Sequence, residues 1–165
     1  KGGACLANGS TDNLNSLAKS IQKWLNSELT TSDLSQEYDF VKPKEKAESF
    51  DKNSAVEYAW NHLLNSTHQT ALKEFIALAI QDKIIGALFP YTSLRRLCLS
   101  RCTGYPYTND TPIVVPVSKN NYEVRTSENE TIGVGNASEA IKMVKDNLPL
   151  GIKPAISGTS ENLEY

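Results

Sequence analysis

Apolar residues recur at three- and four-residue spacing in several stretches of the chain, and this period predicts helices. The first stretch predicts a helix over residues 12–27, after a turn at residues 9–12 that carries capping side chains. Its apolar stripe should bury one face of the helix. The stripe consists of Leu14, Leu17, Ala18, Ile21, Trp24 and Leu25. A shorter helical turn is predicted after the cap formed by Thr31, Ser32 and Asp33.

Three more helices are predicted by the same period. They cover residues 53–65, 67–81 and 137–147. The first two are joined so tightly that they should pack as a helical hairpin, unless they fuse into one bent helix. The last takes Asn136 or Ser138 as its cap and ends before Pro149.

A different pattern, of short β-rich runs separated by turn residues, begins after Pro90. These runs predict an antiparallel meander that includes a turn at residues 119–121. They cover residues 94–101, 113–117, 122–126 and 131–134. Nearer the N-terminus, residues 1–8 predict the end of a strand, and residues 38–41 predict a short strand that Pro43 stops.

The order of these elements predicts a single α+β domain over residues 1–150, with N-terminal helices packed on a C-terminal antiparallel sheet and a final helix. A length of 165 residues suits one such domain with its own core. The charged segment 42–52 should be exposed. Residues 151–165, rich in glycine, serine, proline and polar residues, predict a flexible C-terminal tail.

Charge and hydropathy narrow the class of partner. The chain carries 17 Lys plus Arg against 19 Asp plus Glu, so its formal charge of -2 offers no global basic field for nucleic acid. The longest mostly apolar run, residues 75–89, is interrupted by Gln81, Asp82 and Lys83, and is too short and too charged to span a bilayer. We therefore expect a soluble protein with no nucleic-acid and no membrane partner.

Three cysteines are an odd number and too few for a disulfide scaffold, so they indicate a reducing cytoplasm. Cys98 and Cys102 are four residues apart, but the two histidines, His62 and His68, lie far from them in the sequence. We therefore expect no metal site and no cofactor. Cys98 is interpreted as a small buried residue of a strand.

Candidate catalytic groups are few. His62 and His68 are six residues apart, which does not place them on one helical face as a metalloprotease pair would be. The glycines at residues 133–135 lack the Lys and third Gly of a phosphate loop, and a strand-to-helix turn explains them better. Cys102, beside Arg101, is a conceivable thiolate nucleophile. Because no base accompanies it, we assign no catalytic residue and favour a non-enzymatic role.

Residues 88–110 concentrate arginines, cysteines and aromatic residues in one segment. As a strand, this segment would place Arg95, Leu97, Leu99 and Arg101 on one face and Leu94, Arg96, Cys98 and Ser100 on the other. Each arginine would then reach past an apolar patch to a carboxylate or phosphate, inside an aromatic rim of Tyr91, Tyr105 and Tyr107. The alternative is that the arginines pair with the chain's own acids and the rings pack on the core. Because tyrosine and arginine dominate interface hot spots, the candidate partner-binding residues are Arg95, Arg96, Arg101, Tyr105 and Tyr107.

Several stretches also resemble a bacterial family of unknown function whose members are labelled natural-product-biosynthesis proteins. These stretches are LFPYTS at residues 88–93, LSRCTGYPYTND at 99–110, the two strands at 115–124, and GSTDNL at 9–14. The resemblance covers most of the chain. It implies no catalytic residue, because the family has no assigned chemistry.

Two functions from different classes fit these observations. The first is a protein-binding domain that neutralises a toxin, as an immunity protein of a bacterial competition system does, by surface complementarity alone. Its partner would be the cognate toxin. The second is an accessory enzyme or anionic-ligand-binding module in natural-product biosynthesis, which would hold its substrate with Arg95, Arg96 or Arg101 and use Cys102 or Tyr105 for chemistry. A concave pocket over these residues would favour the second function.

Overall fold

The computed structural model describes residues 5–26 and 29–163. The described residues divide into two compact units, the first ending at Ala55 and the second beginning at Val56. None of the helices in the described ranges combines the length and the apolar character that crossing a bilayer requires.

The first unit contains three helices and a two-stranded antiparallel ribbon. Its elements are β1 (Ala7–Asn8), α1 (Leu14–Leu25), α2 (Thr31–Glu37), β2 (Lys42–Pro43) and α3 (Ala47–Asp51). Asn13 caps α1 by accepting the Ser16 amide. At α2, Thr30 and Asp33 form a reciprocal capping box, which satisfies amides that a helix start leaves without partners. Part of the predicted first strand and the end of the predicted helix 12–27 lie outside the described residues.

The exposure of the apolar stripe on α1 contradicts the prediction that this stripe is buried. Leu14 is 75% exposed and Leu25 is 70% exposed, so the stripe does not bury its face as expected. The buried residue of this helix is Ser20, whose hydroxyl donates to the Leu17 carbonyl at 2.8 Å. A small polar side chain that hydrogen-bonds to a carbonyl of its own helix can be buried at little cost in free energy. Hydrophobic periodicity alone does not indicate such a buried residue.

Of two expectations for residues 38–52, one is wrong and the other, exposure of residues 42–52, holds for only part of the segment. The short strand is Lys42–Pro43 rather than residues 38–41, so it contains the proline that was expected to stop it. Pro43 is tolerated because the ribbon has only two strands and its other edge needs no donor. The segment expected to be exposed contains α3, in which Ala47 and Ser49 are buried.

The second unit is built on a five-stranded antiparallel sheet with the strands in sequence order. Its elements are α4 (Ala55–Asn65), α5 (Lys73–Gln81), β3 (Phe89–Ser93), β4 (Arg96–Ser100), β5 (Ile113–Ser118), β6 (Asn121–Arg125), β7 (Thr131–Gly135) and α6 (Ala137–Asp146). A short 3-10 helix at Thr67–Leu72 separates α4 from α5, so the two do not fuse into one bent helix. The predicted α+β class with an antiparallel sheet and a final helix is confirmed.

Helices α4, α5 and α6 share one hydrophobic core with one face of this sheet. Phe75 of α5 and Tyr122 of β6 are fully buried there, with their ring centroids 5.8 Å apart. Trp60 of α4 donates from its indole nitrogen to the Leu88 carbonyl at 3.0 Å. Full burial of one such large apolar side chain contributes about 1.5–3 kcal/mol, so this core orients the sheet and leaves its other face to the outside.

The strands begin and end differently from the prediction at one important place. Residues 94–101 were expected to form one strand, but Leu94 and Arg95 are the two-residue turn between β3 and β4. Both have positive φ, +49° and +66°, which is the backbone of a type I′ hairpin turn. Arg95 therefore does not share a strand face with Leu97 and Leu99, which point into the core.

The segment predicted as a flexible tail is described as far as residue 163, and its residues 156, 158 and 160 are hydrogen-bonded to the loop after β4. Ile156 donates to the Arg101 carbonyl at 2.9 Å and accepts from the Thr103 amide at 3.0 Å. Gly104 donates to the Gly158 carbonyl at 2.6 Å. These bonds join residues 101–104 to residues 156–158; the mobility of the tail stays a prediction.

Candidate functional site

The candidate site lies on the face of the five-stranded sheet that points away from the core, which we call the outer face. Alternation along the strands and the register between them decide which residues belong to it. Its principal members are Phe89, Tyr91, Arg96, Cys98, Val115, Glu123, Arg125, Thr131 and Val134. Val134 is 53% exposed, so this face combines apolar surface with charged side chains.

Aromatic side chains gather at the β3 edge of the outer face. Tyr107, from the loop after β4, stacks on Tyr91 with ring centroids 4.4 Å apart and on Phe89 at 5.7 Å. Tyr105 meets Tyr107 edge to face at 6.0 Å and is 50% exposed. The structure thus brings Tyr91, Tyr105 and Tyr107 together as the sequence predicted. Mutual stacking holds these rings in place, which makes them rigid contact surface.

Cys98 lies under this aromatic group, opposite Tyr91 in the register of β3 and β4. It is buried, as predicted. Burial raises the pKa of the Cys98 thiol, although a hydrogen bond from Tyr91 and the charge of Arg96 oppose the rise. Burial likewise raises the pKa of Tyr91, and proximity to Cys98 adds to the rise. Neither group is therefore activated as a nucleophile or base at neutral pH.

Two arginines converge on the other side of Cys98. Nη1 of Arg96 and Nη1 of Arg125 both donate to Oδ1 of Asn129, at 3.0 and 3.1 Å. Arg125 also pairs with Glu123 at 2.6 Å, and the Thr131 hydroxyl donates to the same carboxylate at 2.6 Å. We call Arg96, Glu123, Arg125, Asn129 and Thr131 the two-arginine cluster.

Glu123 is the carboxylate of the two-arginine cluster. Hydrogen bonds from Arg125 and then Thr131, together with the charges of Arg125 and Arg96, hold the pKa of Glu123 below its usual range. Glu123 therefore stays ionised at neutral pH and faces two guanidinium groups. The cluster as a whole carries one surplus positive charge.

Most of the two-arginine cluster was missed by sequence reasoning, which named only Arg96. The sequence signal for the cluster was the alternation of polar and apolar residues along β6. Asn121, Glu123 and Arg125 point outward, and Tyr122 and Val124 between them are buried. The contact between Arg96 and Asn129 joins residues 33 positions apart, and no local spacing indicates such a pair.

The remaining predicted arginines lie elsewhere. Arg95 is exposed at the tip of the β3–β4 hairpin, next to Leu94, which is 89% exposed. Arg101 forms an ion pair with Asp110 at 2.6 Å, which agrees with the alternative that an arginine pairs with the chain's own acid. The structure therefore places Arg96 on the outer face and Arg95 at the tip of the β3–β4 hairpin. Arg101 lies away from the outer face and from the hairpin tip.

Arg101 and Asp110 form part of the wall of a groove of about 680 Å³. The rest of its lining comes mainly from the residues that follow α6. These are Pro149, Leu150, Gly151, Ile152, Lys153, Pro154, Ile156, Asn162 and Leu163. The groove is mostly apolar, with a few charged and polar groups, as ligand sites commonly are.

The loop from Ser100 to Asp110 is held by a buried hydroxyl. Ser100 Oγ donates to the Cys102 carbonyl at 2.9 Å and accepts from the amides of Cys102 and Thr108, at 3.1 and 3.2 Å. Cys102 is fully buried, with its sulfur near the Gly104 and Pro106 carbonyls. A thiol in this position is closed to substrates, so the idea of Cys102 as a nucleophile gains no support from the geometry.

The other residues considered for chemistry have structural surroundings. His62 stacks on Tyr58 within α4, with ring centroids 5.9 Å apart. Gly133 and Gly135 lie in β7, and Asn136 with Glu139 forms a capping box at the start of α6, which is the strand-to-helix turn that was predicted. Within the described residues, no three His, Cys, Asp or Glu side chains are grouped closely enough to hold a metal ion.

A family model described as "Family of unknown function (DUF6193)" matches residues 54–159, well over half of the chain. The chain belongs to the DUF6193 family. No curated protein and no solved structure matches it. Three of the stretches that suggested a family resemblance, at residues 88–93, 99–110 and 115–124, lie inside the matched region, whereas the stretch at 9–14 lies outside it.

The DUF6193 region begins close to the first residue of the second unit. It contains every strand of the five-stranded sheet, and with them the outer face and the two-arginine cluster. The site can therefore be treated as a property of this family region rather than of the residues before it.

Burial predicts how the three thiols of this DUF6193 protein react. Cys5 is exposed, whereas Cys98 and Cys102 are buried. We expect an excess of Ellman's reagent at neutral pH to titrate one thiol per native chain and three after unfolding in guanidinium, because a buried thiol does not reach the reagent. A Cys5→Ser variant, as control, should release almost no thionitrobenzoate before unfolding. Rapid reaction of a second native thiol would contradict the described burial.

Proposed function

We propose that this chain is a non-enzymatic protein-binding domain that docks its partner on the outer face of the sheet. The observation that carries the proposal is that Tyr107 stacks on Tyr91, and that Tyr91 and Arg96 lie on the same face of the sheet, with the buried Cys98 beneath them. Rigid aromatic rings beside guanidinium groups are the composition of interface hot spots. Arg95, at the exposed hairpin tip, extends the basic part of this surface.

Local charge supports a partner whose contact surface is acidic. The chain as a whole has a formal charge of -2, but three arginines, Arg95, Arg96 and Arg125, lie at or near the outer face, where Glu123 neutralises one of them. Complementary charge at an interface selects the partner and accelerates association. The partner is therefore expected to present aspartate or glutamate side chains here.

We further propose that the partner is a toxin that this protein neutralises in the cytoplasm, as an immunity protein does. Steric and electrostatic blockage needs a complementary surface and no chemistry. The unpaired state of Cys5, Cys98 and Cys102 fits a reducing compartment. The proposal rests on these properties of the surface and of the chain, since the DUF6193 family carries no functional description.

A pull-down tests this proposal. The tagged chain is incubated with the purified product of the neighbouring gene and, separately, with native cell extract, and the captured protein is quantified. We expect Arg96→Glu and Tyr105→Ala each to reduce capture at least tenfold, because they reverse a central charge and remove an exposed ring. Co-expression with a captured toxin should restore growth, and Arg96→Glu should abolish this protection.

Two matched variants control this pull-down. Lys73→Glu reverses an exposed charge at the start of α5, and Tyr58→Ala removes a ring from α4; both lie outside the outer face. Capture should be unchanged in both. Equal capture by Arg96→Glu, Tyr105→Ala and the wild-type chain would discard the outer face as the interface.

The groove beside Arg101 favours a second candidate, an anionic-ligand-binding module in natural-product biosynthesis. Its volume of about 680 Å³ suits a small organic molecule. Lys153 and the Arg101–Asp110 pair would supply charge at its wall. Capture that fails with every protein, together with saturable binding of small organic acids that Arg101→Ala removes, would replace the first proposal with this one.

A further inference from the structure

We propose that Arg96 and Arg125 form an oxyanion site, and that an aspartate or glutamate carboxylate of the protein partner occupies it in place of the Asn129 amide oxygen. This inference rests on the proposed function and names the group that the outer face recognises. It adds Arg125 and Asn129 to the binding surface.

The geometry supplies the first argument. A single oxygen, Oδ1 of Asn129, accepts from Nη1 of both guanidinium groups at 3.0 and 3.1 Å. Two guanidinium groups aimed at one oxygen form the arrangement that holds a carboxylate, because each presents parallel donors in a fixed plane. Nε of Arg125 is buried and has no acceptor among the described residues, so the cluster holds a further unused donor.

The charge of the cluster supplies the second argument. Glu123 neutralises one of the two guanidinium groups, and the Asn129 amide, being uncharged, neutralises neither. Hydrogen bonds between ionised partners are roughly twice as strong as those between neutral ones. An anionic oxygen is therefore a better acceptor at this position than the amide oxygen that now fills it.

The same charge selects the class of anion. One surplus positive charge matches one carboxylate, whereas a phosphate dianion would meet the ionised Glu123 with two negative charges. The aromatic group beside the cluster favours an acid carried on a polypeptide, whose neighbouring residues would cover Tyr105 and Tyr107. A side-chain carboxylate of the partner satisfies both conditions.

Asn129 also allows a sharp test, since Asn129→Asp places a carboxylate between the two arginines without a change of size. Asn129 lies in the turn after β6 with φ +70°. Asn120 is the matched control, because it too is exposed, has a positive φ of +49° and lies in a turn of the same sheet. Asp tolerates this backbone region about as Asn does, so both variants should fold.

The probes are a capped tetraglutamate peptide and inorganic phosphate, titrated into the ¹⁵N-labelled full chain. For the wild-type chain we expect saturable shifts of the amide signals of residues 96, 125 and 129 with the peptide, and weaker binding of phosphate. Asn129→Asp and Arg96→Ala should each weaken peptide binding at least tenfold, and Asn120→Asp should leave it unchanged. Tighter binding of phosphate than of peptide, or equal peptide binding by Asn129→Asp and wild type, overturns the proposal.

Thermal unfolding separates an occupied site from a damaged fold. The new carboxylate of Asn129→Asp should have a lowered pKa beside two guanidinium groups, so it should stabilise the chain at neutral pH. That gain should disappear as the pH falls below the usual range of aspartate, because the carboxylate then becomes protonated. Asn120→Asp should show no comparable gain.

The two proposals fail in different ways. If a partner is captured equally by the wild-type chain and by Asn129→Asp, the protein-binding function stands and the carboxylate site is wrong. If the peptide binds and Asn129→Asp blocks it while no partner is captured, the site stands and the protein-binding function fails.

Discussion

Ser100→Ala should lower the free energy of unfolding by about 2–6 kcal/mol, since each of two buried amides left without an acceptor costs about 1–3 kcal/mol. The Ser100 hydroxyl accepts from two backbone amides, those of Cys102 and Thr108, at 3.1 and 3.2 Å. Ser100 is fully buried and Thr108 nearly so. The alanine methyl group leaves little room for a water molecule that would replace the lost acceptor. Urea unfolding followed by tryptophan fluorescence measures this loss.

Two further variants provide a scale for the stability loss in Ser100→Ala. Thr111→Val removes a buried hydroxyl that only donates, to the Leu99 carbonyl at 2.8 Å, and should cost about 1 kcal/mol. Ser118→Ala, at the exposed end of β5, should change stability by less than about 0.5 kcal/mol. A loss in Ser100→Ala no larger than in Ser118→Ala would show that this hydroxyl does not hold the loop.

Loss of the Ser100 hydroxyl should also affect partner binding. The same loop carries Tyr105 and Tyr107, whose rings contribute the exposed and the stacked parts of the aromatic group. A loop that loses its central acceptor should hold these rings less firmly. Ser100→Ala should therefore weaken partner capture through lost preorganisation even at temperatures where the chain is folded.

The double variant Leu94→Asn with Arg95→Gly should raise the free energy of unfolding by about 2 kcal/mol, because left-handed backbone costs an ordinary L-residue about 1–2 kcal/mol. Both residues have positive φ in the two-residue turn between β3 and β4. Asn-Gly is the sequence that a type I′ turn prefers. Leu94 is 89% exposed, so its replacement loses little buried surface.

A control for this prediction lies in the next hairpin. Asn120 already has a residue type that tolerates its positive φ of +49°, so Asn120→Gly should change stability by less than about 0.5 kcal/mol. Thermal and urea unfolding of both variants provide the comparison. A double variant less stable than the wild-type chain would show that the Leu94 and Arg95 side chains stabilise the hairpin more than their backbone strains it.

The hairpin tip connects stability with function. The turn sequence lowers the stability of the hairpin and exposes a leucine and an arginine. Such a combination is expected where residues are selected for binding and not for stability. If Arg95 belongs to the interface, the double variant should be more stable and yet capture less partner. Greater stability with unchanged capture would remove Arg95 from the binding surface and leave Arg96 and Tyr105 in it.

Local signals in the sequence were sufficient for several elements. Residues 137–147 were predicted as a helix from their apolar period and from a cap at Asn136 or Ser138, and α6 spans Ala137–Asp146 with Asn136 as its cap. The predicted turn at residues 119–121 joins β5 to β6. Such features depend on side chains within a few residues of one another, so their chemistry can be read from the order of residues alone.

Burial was predicted less well because it depends on which other elements pack against each face of a helix or strand. The stripe of α1 has the period of a buried face, yet Leu14 and Leu25 are exposed and Ser20 is buried. In the segment 94–101, alternation continued through residues that form a turn, so Arg95 was assigned to a strand face. Periodicity describes which residues share a side of an element and does not say which side is covered.

By itself, then, the sequence determined the α+β class, the meander of strands, the final helix and the enrichment of arginine and tyrosine in residues 88–110. Only the tertiary structure decided which arginines meet. It separated Arg101, paired with Asp110, from Arg96, and joined Arg96 to Arg125 through Asn129. The reason is physical: helix and turn signals act over a few residues, whereas the two-arginine cluster forms where the packing of a sheet brings residues 33 positions apart into contact.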